Sequence, residues 1–330
     1  MAAIYKPVYR SGCDVPKKRC PQCGSVGKRD GYYSNGRQRW FCRTCRHSFS
    51  WRNPTARRIR EMEWFRRWIV EGYSVRQLAL QSGHSQRKLR RLIDSFLAQA
   101  PPTSALEPQT AQHLLFDGTF LHRPHSIVVL MNGQTHTLVR GQFDVRENSG
   151  PELRAFFEPM IGKGLHPRSF TVDGNRQVIK ILKMLWPDAV IQRCLVHIQR
   201  QGLSWCRNSP KTVHARQLRK VFLQVTGIAT PADKIVFLNL VANWELQYGT
   251  EIAARKEKGR VFSDIKRARS MLLLALPNMF HYLDDPHIPT TTNGLEGYFS
   301  RLKSHYRQHR GLSPHRRPNY FAWYFHFTPR

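Results

Sequence analysis

The stretch Phe170–Arg200 constrains the fold of this chain more than any other segment. Its first residues favour a strand that ends at Asp173-Gly174, and apolar residues then recur at the spacing of a helix. Trp186-Pro187 would end that helix, and Ala189–Gln192 has the composition of a second buried strand. A strand–helix–strand unit of this kind is parallel, and chemistry gathers at the carboxyl ends of strands in open α/β sheets. Asp173 is therefore the first candidate functional residue.

The residues before this unit predict the rest of a sheet. The predicted strands are Leu114–Phe116, Ser126–Met131 and Thr135–Phe143, and a predicted helix covers Pro151–Ile161. Asn132-Gly133 is the hairpin signal between the second and third strands. Three antiparallel strands, a helix and a β-α-β unit follow one another in the order of a ribonuclease H-like sheet, whose first and fourth strands lie side by side. We therefore expect Asp117 and Asp173 to meet at adjacent strand ends.

A third acid lies near the end of the chain. The segment from Gly202 to about Asp285 has helical spacing throughout, and we interpret residues 202–285 as an all-α insertion. Residues 290–293 then predict the cap of a helix that runs from Gly294 to about Arg310. One stripe of this helix is apolar, and the adjacent stripe carries Glu296, Ser300, Lys303, Arg307 and Arg310. Glu296 would thus stand at the end of a row of phosphate-binding groups.

Each of the three acids has a structural alternative. Asp117-Gly118 and Asp173-Gly174 occur in ordinary turns, and Asp173 can cap the helix after it. Glu296 lies three residues after Asn293 and can complete a capping box. Taken together, however, two carboxylates at strand ends and a third on a late helix are what a site for two divalent cations requires.

Two Cys-x-x-Cys pairs predict a metal site near the N-terminus. Cys20, Cys23, Cys42 and Cys45 flank Asn35-Gly36, a two-residue hairpin signal. Four thiolates on a hairpin can close a tetrahedral Zn²⁺ site with no open position, so one zinc ion would be structural. A segment this short buries too little surface to fold without a metal. Four unrelated thiols are the alternative, and the basic residues of the predicted strands leave contact with DNA or with protein open.

Residues 55–97 predict three helices with helix-turn-helix spacing. Ser74 and Ser85 can cap the second and third helices, and the first has an apolar face that begins at Ile59. The outer face of the third helix carries four basic residues, which suit phosphates and guanine edges: Arg87, Lys88, Arg90 and Arg91. A small helical bundle with a solvated basic face is the alternative.

The net charge favours a polyanionic partner. The chain has 53 Lys and Arg residues against 22 Asp and Glu residues, a formal charge of +31, and such a field attracts nucleic acid. A membrane surface is the alternative, but neither a basic amphipathic anchor nor a long apolar run is present. The N-terminus lacks the apolar region of a secretory signal, and paired cysteines fit a reducing compartment, so we expect a cytoplasmic protein with no membrane partner.

Three segments resemble the catalytic signatures of the Mutator-like DDE transposase superfamily. They are LLFDGTF at 114–120, TVDGNRQVIKILKMLWPDAVIQRCLVHIQR at 171–200 and IPTTTNGLEGYFSRLK at 288–303. The chain is most similar to bacterial insertion-sequence transposases with an N-terminal zinc ribbon, and the resemblance covers residues 114–330 well. It implies a triad of Asp117, Asp173 and Glu296 on a ribonuclease H-like fold with an all-α insertion.

The same resemblance implies a reaction and its partners. The three acids would hold two Mg²⁺ or Mn²⁺ ions, activated water would cleave the element's ends, and the freed 3′-hydroxyl would attack target DNA. The N-terminal modules would bind double-stranded terminal inverted repeats, and the protein would act as a homo-oligomer on DNA in the bacterial nucleoid. Cys194 and His197 match the family's Cys…His signature after the second acid, and we assign them a packing or supporting role near the metals.

The predicted organisation has four parts. A zinc ribbon covers residues 1–52, a helix-turn-helix domain 53–100, a linker 101–113, and a ribonuclease H-like catalytic domain 114–330. One rival function is that of a DNA-binding regulator derived from a transposase, with an inactive catalytic site, although all three acids are present. A second rival is a hydrolytic nuclease that never joins strands.

Overall fold

The computed structural model describes residues 18–34, 36–50, 54–102, 108–255, 264–309 and 311–329. The chain divides into two units, residues 1–63 and 64–330, and the division falls within the first helix. The predicted domain boundaries stay a prediction.

The first unit contains a small antiparallel sheet. Its strands are β1 (Lys28–Tyr32), β2 (Gln38–Phe41) and β3 (Ser48–Phe49), in that order. Strands β1 and β2 lie on either side of the predicted turn Asn35-Gly36, of which Asn35 lies outside the described residues. The hydrophobic cluster of this sheet is small and half of its buried members are cysteines: Cys20, Trp40, Cys42 and Phe49.

Three helices follow, as predicted for residues 55–97. They are α1 (Pro54–Val70), α2 (Val75–Ser82) and α3 (Gln86–Leu97). The oxygens of Ser74 and Ser85 accept hydrogen bonds from the first turns of α2 and α3, so both predicted caps are confirmed. The apolar face of α1 is buried at Phe65 and Ile69, but its predicted start at Ile59 is wrong, because that side chain is 64% exposed. The spacing of apolar residues predicts which face of a helix is buried. It does not predict over what length of the helix another element covers that face.

The second unit is built on a five-stranded mixed sheet. Its strands are β4 (His113–His122), β5 (His125–Asn132), β6 (Leu138–Phe143), β7 (Ser169–Val172) and β8 (Val190–Arg193). Their order is β6-β5-β4-β7-β8, with the first three strands antiparallel and β4, β7 and β8 parallel. The predicted adjacency of the first and fourth strands is confirmed by the pairing of Leu115 with Thr171.

Two helices cover one face of this sheet. Helices α4 (Gly150–Ile161) and α5 (Arg176–Leu185) contribute Phe156, Phe157 and Leu182 to a core that also contains Phe116 and Phe170 of the strands. Helix α5 ends before Trp186, because Pro187 cannot continue the backbone hydrogen bonding. The strand–helix–strand unit predicted from Phe170–Arg200 is therefore present and buried.

The predicted all-α region has its own core. Its helices are α6 (Leu195–Cys206), α7 (Val213–Gln224), α8 (Pro231–Trp244), α9 (Thr250–Ala254), α10 (Asp264–Ala275) and α11 (His281–Asp284). The helical region begins at Leu195, earlier than the predicted Gly202, and residues 256–263 of the predicted insertion lie outside the described residues. Phe237 and Trp244 are buried core residues, while Trp205 packs at the edge of the cluster.

The chain ends in two more helices, α12 (Asn293–Arg307) and α13 (Arg317–Phe327). The sequence analysis did not predict α13. The indole of Trp323 donates hydrogen bonds to the main-chain oxygens of Phe96 and Gln99, and the oxygen of Pro329 accepts one from Leu138. The C-terminal segment thus packs against both α3 and the sheet edge.

Candidate functional site

Asp117, Asp173 and Glu296 line one open cleft of about 470 Å³ in the second unit. They come from β4, from the loop after β7 and from the first turn of α12. Side chains of mixed chemistry complete the lining, among them Thr119, His197, Ser300 and Lys303. The fold therefore brings together the three acids that the sequence singled out.

The prediction that Asp117 lies at a strand end is wrong. Strand β4 continues through Asp117, which pairs with Val129 of β5. Strand β7, however, pairs with β4 only as far as Leu115, so the part of β4 that carries Asp117 extends past the end of β7. Gly118 signals a turn in the sequence, but here it lies within a strand, because the carboxyl group of Glu147 fills the space that a Cβ would need.

The carboxyl group of Asp117 is poorly solvated. The residue is 8% exposed, and its Oδ1 accepts a hydrogen bond of 2.8 Å from the adjacent Gly118 N–H. Burial, with the negative charge of Asp173, raises the pKa of Asp117 to about 6. A cation bound here would stabilise the charged form.

Glu147 is a fourth carboxylate at this end of the sheet that the sequence analysis missed. A Cβ placed on Gly118 would lie 1.8 Å from Glu147 Oε1, so the two residues are in direct contact. Burial and the charges of Asp173 and Asp117 raise the pKa of Glu147 to about 8, against a hydrogen bond from Asn175. Glu147 belongs to a polar loop between β6 and α4, where a solvated acid is the default expectation.

Asp173 does not cap the helix that follows it, so that alternative is wrong. Asn175 caps α5 by accepting a hydrogen bond from Gln177 N–H, and Asp173 Oδ1 accepts one of 2.9 Å from Asn175 N–H. The main-chain oxygen of Asp173 accepts a bond of 3.0 Å from Arg193 Nη2. The carboxyl group of Asp173 therefore accepts a hydrogen bond within the loop and does not cap α5.

The capping-box alternative for Glu296 is also wrong. Helix α12 starts at Asn293 after Thr292, and no side chain caps it. Glu296 instead accepts hydrogen bonds of 2.8 and 3.2 Å from Arg200 Nη1 and Nη2, one on each carboxylate oxygen. These hydrogen bonds lower the pKa of Glu296. Glu296 therefore lines the cleft as a charged group paired with an arginine.

Cys194 and His197 connect two of the segments that carry the acids. The Cys194 thiol is buried, lies 3.2 Å from His197 Nδ1 and accepts a hydrogen bond of 3.3 Å from Thr292 N–H, just before α12. The hydrogen bond with Cys194 is the main cause that raises the pKa of His197 to about 9. The pair thus fixes the start of α6 against the start of α12 and places a cationic imidazole in the cleft.

The polar stripe of α12 reaches the cleft in part. Ser300 and Lys303 line it with Glu296, and Lys303 Nζ donates a hydrogen bond to Thr119 Oγ1. Arg307 is exposed, and Arg310 lies outside the described residues. A hydroxyl and an ammonium group therefore adjoin the acids along one helix face.

The four cysteines of the two Cys-x-x-Cys pairs come together in the first unit. The Sγ atoms of Cys20, Cys23, Cys42 and Cys45 lie within 4.8 Å of one another, so they could hold a metal ion such as zinc. Over the described ranges, no other group of three or more His, Cys, Asp or Glu side chains converges as closely. The carboxylates of the acid cleft are more widely spaced, in keeping with the pairing of Glu296 to Arg200.

The predicted basic face of α3 is exposed. Arg87, Lys88, Arg90 and Arg91 all lie at the surface, while the opposite face buries Leu89, Leu92, Ile93 and Phe96. Arg90 lies within 3.3 Å of Gln86 Oε1, one turn earlier.

Comparison with protein-family models found no match to this chain, and no curated protein matched it. Every helix in the described ranges falls short of the length and hydropathy needed to cross a membrane.

Proposed function

We propose that this chain is the DNA transposase of an insertion sequence, which cleaves DNA at the element's ends and joins it to a target. The observation that carries the proposal is the convergence of Asp117, Asp173 and Glu296 on one cleft in a chain of charge +31. The strand order β6-β5-β4-β7-β8, with β4 parallel to β7, supports a ribonuclease H-like core. The motif resemblance to Mutator-like transposases supports the same assignment.

The donor set of the cleft fits hard divalent cations. Carboxylate oxygens are the ligands that Mg²⁺ and Mn²⁺ prefer, and the burial of Asp117 beside Asp173 leaves negative charge that a cation would stabilise. Asp117, Asp173 and Glu296 would hold two such ions, with Glu296 released from Arg200. When bound, the ions would activate water and stabilise charge on the phosphate.

The remaining residues of the cleft orient the DNA strand. His197 presents a protonated ring to the cleft, and Lys303 presents an ammonium group beside Thr119. Both can bind phosphate oxygens next to the acids. Because Lys303 lies on the same helix face as Glu296, phosphates along this face would be held in line with the acids.

The other parts of the chain supply DNA recognition. The four-cysteine cluster holds one structural Zn²⁺, and the basic face of α3 binds the terminal inverted repeats, with Arg87, Lys88, Arg90 and Arg91 at phosphates or base edges. The protein acts as a homo-oligomer on DNA in the bacterial nucleoid, because two element ends have to be joined to one target.

One observation favours the alternative of a DNA-binding regulator. Arg200 donates a hydrogen bond to each carboxylate oxygen of Glu296, so this acid already has a cationic partner within the chain. In that case the DNA-binding modules would be active and the acid cleft silent.

Cleavage assays with DNA that bears the element's ends separate these functions. Asp117→Asn, Asp173→Asn and Glu296→Gln should each reduce Mg²⁺-dependent cleavage on the order of 10²-fold or more, with DNA binding retained. Asp284→Asn and Asp285→Asn serve as matched controls, since neither residue lines the cleft. No cleavage by the parent protein, with binding to the element's ends retained, would indicate the regulator. Normal cleavage by all three acid variants would place the reaction outside this cleft. Cleavage without joining of the 3′ ends to target DNA would indicate a nuclease.

A further inference from the structure

A second cleft, of about 550 Å³, borders Gly174, the residue after Asp173. It lies between α5, α6 and α10, and nothing in the proposed cleavage chemistry uses it. Four basic side chains and one indole line it: Arg176, Lys180, Arg193, Arg267 and Trp205. Ile179, Met271 and Leu274 give it an apolar wall.

Arg193 is the unusual member of this lining. It is 6% exposed, and its Nε is buried without a hydrogen-bond partner. Its Nη2 donates to the main-chain oxygen of Asp173, but no carboxylate within the described part of the chain forms an ion pair with the guanidinium. A buried charge is unfavourable unless an opposite charge and hydrogen bonds satisfy it. Only the charges of Asp173 and Cys194, outside ion-pair distance, act on this guanidinium, so an anion bound in the cleft would stabilise it.

The Arg193 guanidinium lies in a space that the backbone of Gly174 leaves open. A Cβ on residue 174 would lie 1.9 Å from the Arg193 guanidinium, so only glycine leaves the space. Gly174 also has a φ of 100°, which side-chain-bearing residues rarely adopt. The loop that carries Asp173 is thus shaped to admit a buried guanidinium at the base of the second cleft.

We propose that this second cleft binds an unpaired nucleotide of the DNA strand, with its phosphate at Arg193 and its base against the apolar wall. A guanidinium matches the geometry of a phosphate, and Arg176 and Lys180 add positive charge at the rim. A base can pack on Trp205 and the neighbouring apolar side chains, which a small inorganic anion would leave uncovered. The proposal rests on the proposed function, which supplies the DNA strand. A strand bound at Asp173 would lie next to Gly174 and therefore beside the second cleft.

Photocrosslinking of the full-length chain tests this assignment. The probe is a short single-stranded oligonucleotide that carries 5-iodouracil, and Asp117→Asn blocks its cleavage. We expect adducts on Trp205 or its cleft neighbours, located by mass spectrometry. The yield at limiting probe should fall on the order of tenfold in Arg193→Gln, which removes a charged hydrogen-bond donor. Lys180→Gln should reduce it too, and Lys183→Gln is the matched control, since Lys183 is exposed on the same helix but does not line the cleft.

The outcomes are distinguishable. Should Arg193→Gln fail to fold, Lys180→Gln against Lys183→Gln still decides, because both side chains are exposed. Equal yields from Lys180→Gln, Lys183→Gln and the parent, or adducts elsewhere, would overturn the proposal. Competition by inorganic phosphate or thymidine monophosphate as strong as that by the oligonucleotide would also overturn it, in favour of a small-anion or free-nucleotide site. Specific adducts, together with a parent chain that does not cleave the element's ends, would support the cleft and contradict the transposase. Cleavage by the parent without such adducts in Asp117→Asn would do the reverse.

Discussion

Arg200 binds Glu296 through both carboxylate oxygens, at 2.8 and 3.2 Å, and so joins α6 to α12 at the acid cleft. The side chains of the pair are 60% and 36% exposed, so the interaction contributes at most about 1 kcal/mol to folding. A weak, exposed pair is readily exchanged for another partner. Under the proposed function, Arg200 and a divalent cation compete for the same carboxylate.

Removal of this competitor should strengthen metal binding. In Arg200→Gln we expect the Mg²⁺ concentration for half-maximal cleavage to fall by about fivefold, the equivalent of about 1 kcal/mol. Arg207→Gln is the matched control, since Arg207 directly follows α6 and also forms an exposed ion pair, with Asp264. A loss of cleavage in Arg200→Gln at saturating Mg²⁺ would contradict the competition and place Arg200 on the DNA.

The buried acids should make the metal-free protein sensitive to pH. The pKa is raised to about 6 for Asp117, by burial and then Asp173, and to about 8 for Glu147, by burial and then Asp173 and Asp117. Unfolded chains lose these protons near pH 3.8 and 4.5, so between about pH 4 and 8 the folded protein binds more protons than the unfolded one. Its stability should therefore fall as the pH rises through that window.

Thermal unfolding without metal checks this pH dependence. Glu147→Gln should raise the Tm at pH 8 by about 2–4 °C and leave it unchanged at pH 4, where the acid is protonated in both states. Added Mg²⁺ should raise the Tm of the parent at pH 8. Glu158→Gln on α4 is the control, because Glu158 is exposed and paired with Arg154. A pH profile that is the same in Glu147→Gln and the parent would show that Glu147 is solvated.

The sequence predicts the elements and their adjacency well where the pattern is dictated by burial. The strand–helix–strand unit after Phe170 has apolar strands that must be covered on both faces. Such strands belong in the middle of a sheet, and β7 is indeed parallel to β4 on one side and to β8 on the other. Ser74 and Ser85 could be predicted as caps because each accepts a hydrogen bond from a residue only three positions later, so the signal is local. Helix α13 was missed because its aromatic residues are buried on several sides and give no clear stripe.

The site was predicted less completely, because its details depend on contacts between distant segments. Asp117 was expected at a strand end, since Gly118 follows it, and only Glu147 explains why a glycine lies within the strand. The pairing of Arg200 with Glu296 joins residues far apart in the chain, and periodicity carries no information on such pairs. Capping-box spacing at Glu296 exists in the sequence, but the helix starts at Asn293 and leaves the carboxylate to Arg200.

The four-cysteine cluster should hold one zinc ion per chain. Its cysteines make up half of the small buried cluster of the sheet, so the fold of residues 18–50 should depend on the metal. The zinc content measured by metal analysis should fall from about one per chain to near zero in Cys20→Ser and in Cys42→Ser. Proteolysis of this segment should become faster in both variants. Cys206→Ala, outside the cluster, should keep its zinc. Unchanged zinc content in both serine variants would disprove the site.

The last prediction concerns the exposed face of α3. Its inner face is fixed by buried apolar residues and by α13, through Trp323 to the Phe96 main chain, so changes on the outer face should leave the fold intact. Arg87→Ala with Arg91→Ala should weaken binding to the element's ends and lower the slope of log K against log salt by about 0.9 for each lost phosphate contact.

Lys211→Ala with Lys220→Ala, two exposed lysines of the helical region, is the charge-matched control. Fluorescence anisotropy at several salt concentrations measures both quantities. If the α3 variant and the control weaken binding equally, the effect is one of net charge. If the parent binds specific and random duplexes equally, α3 does not read sequence.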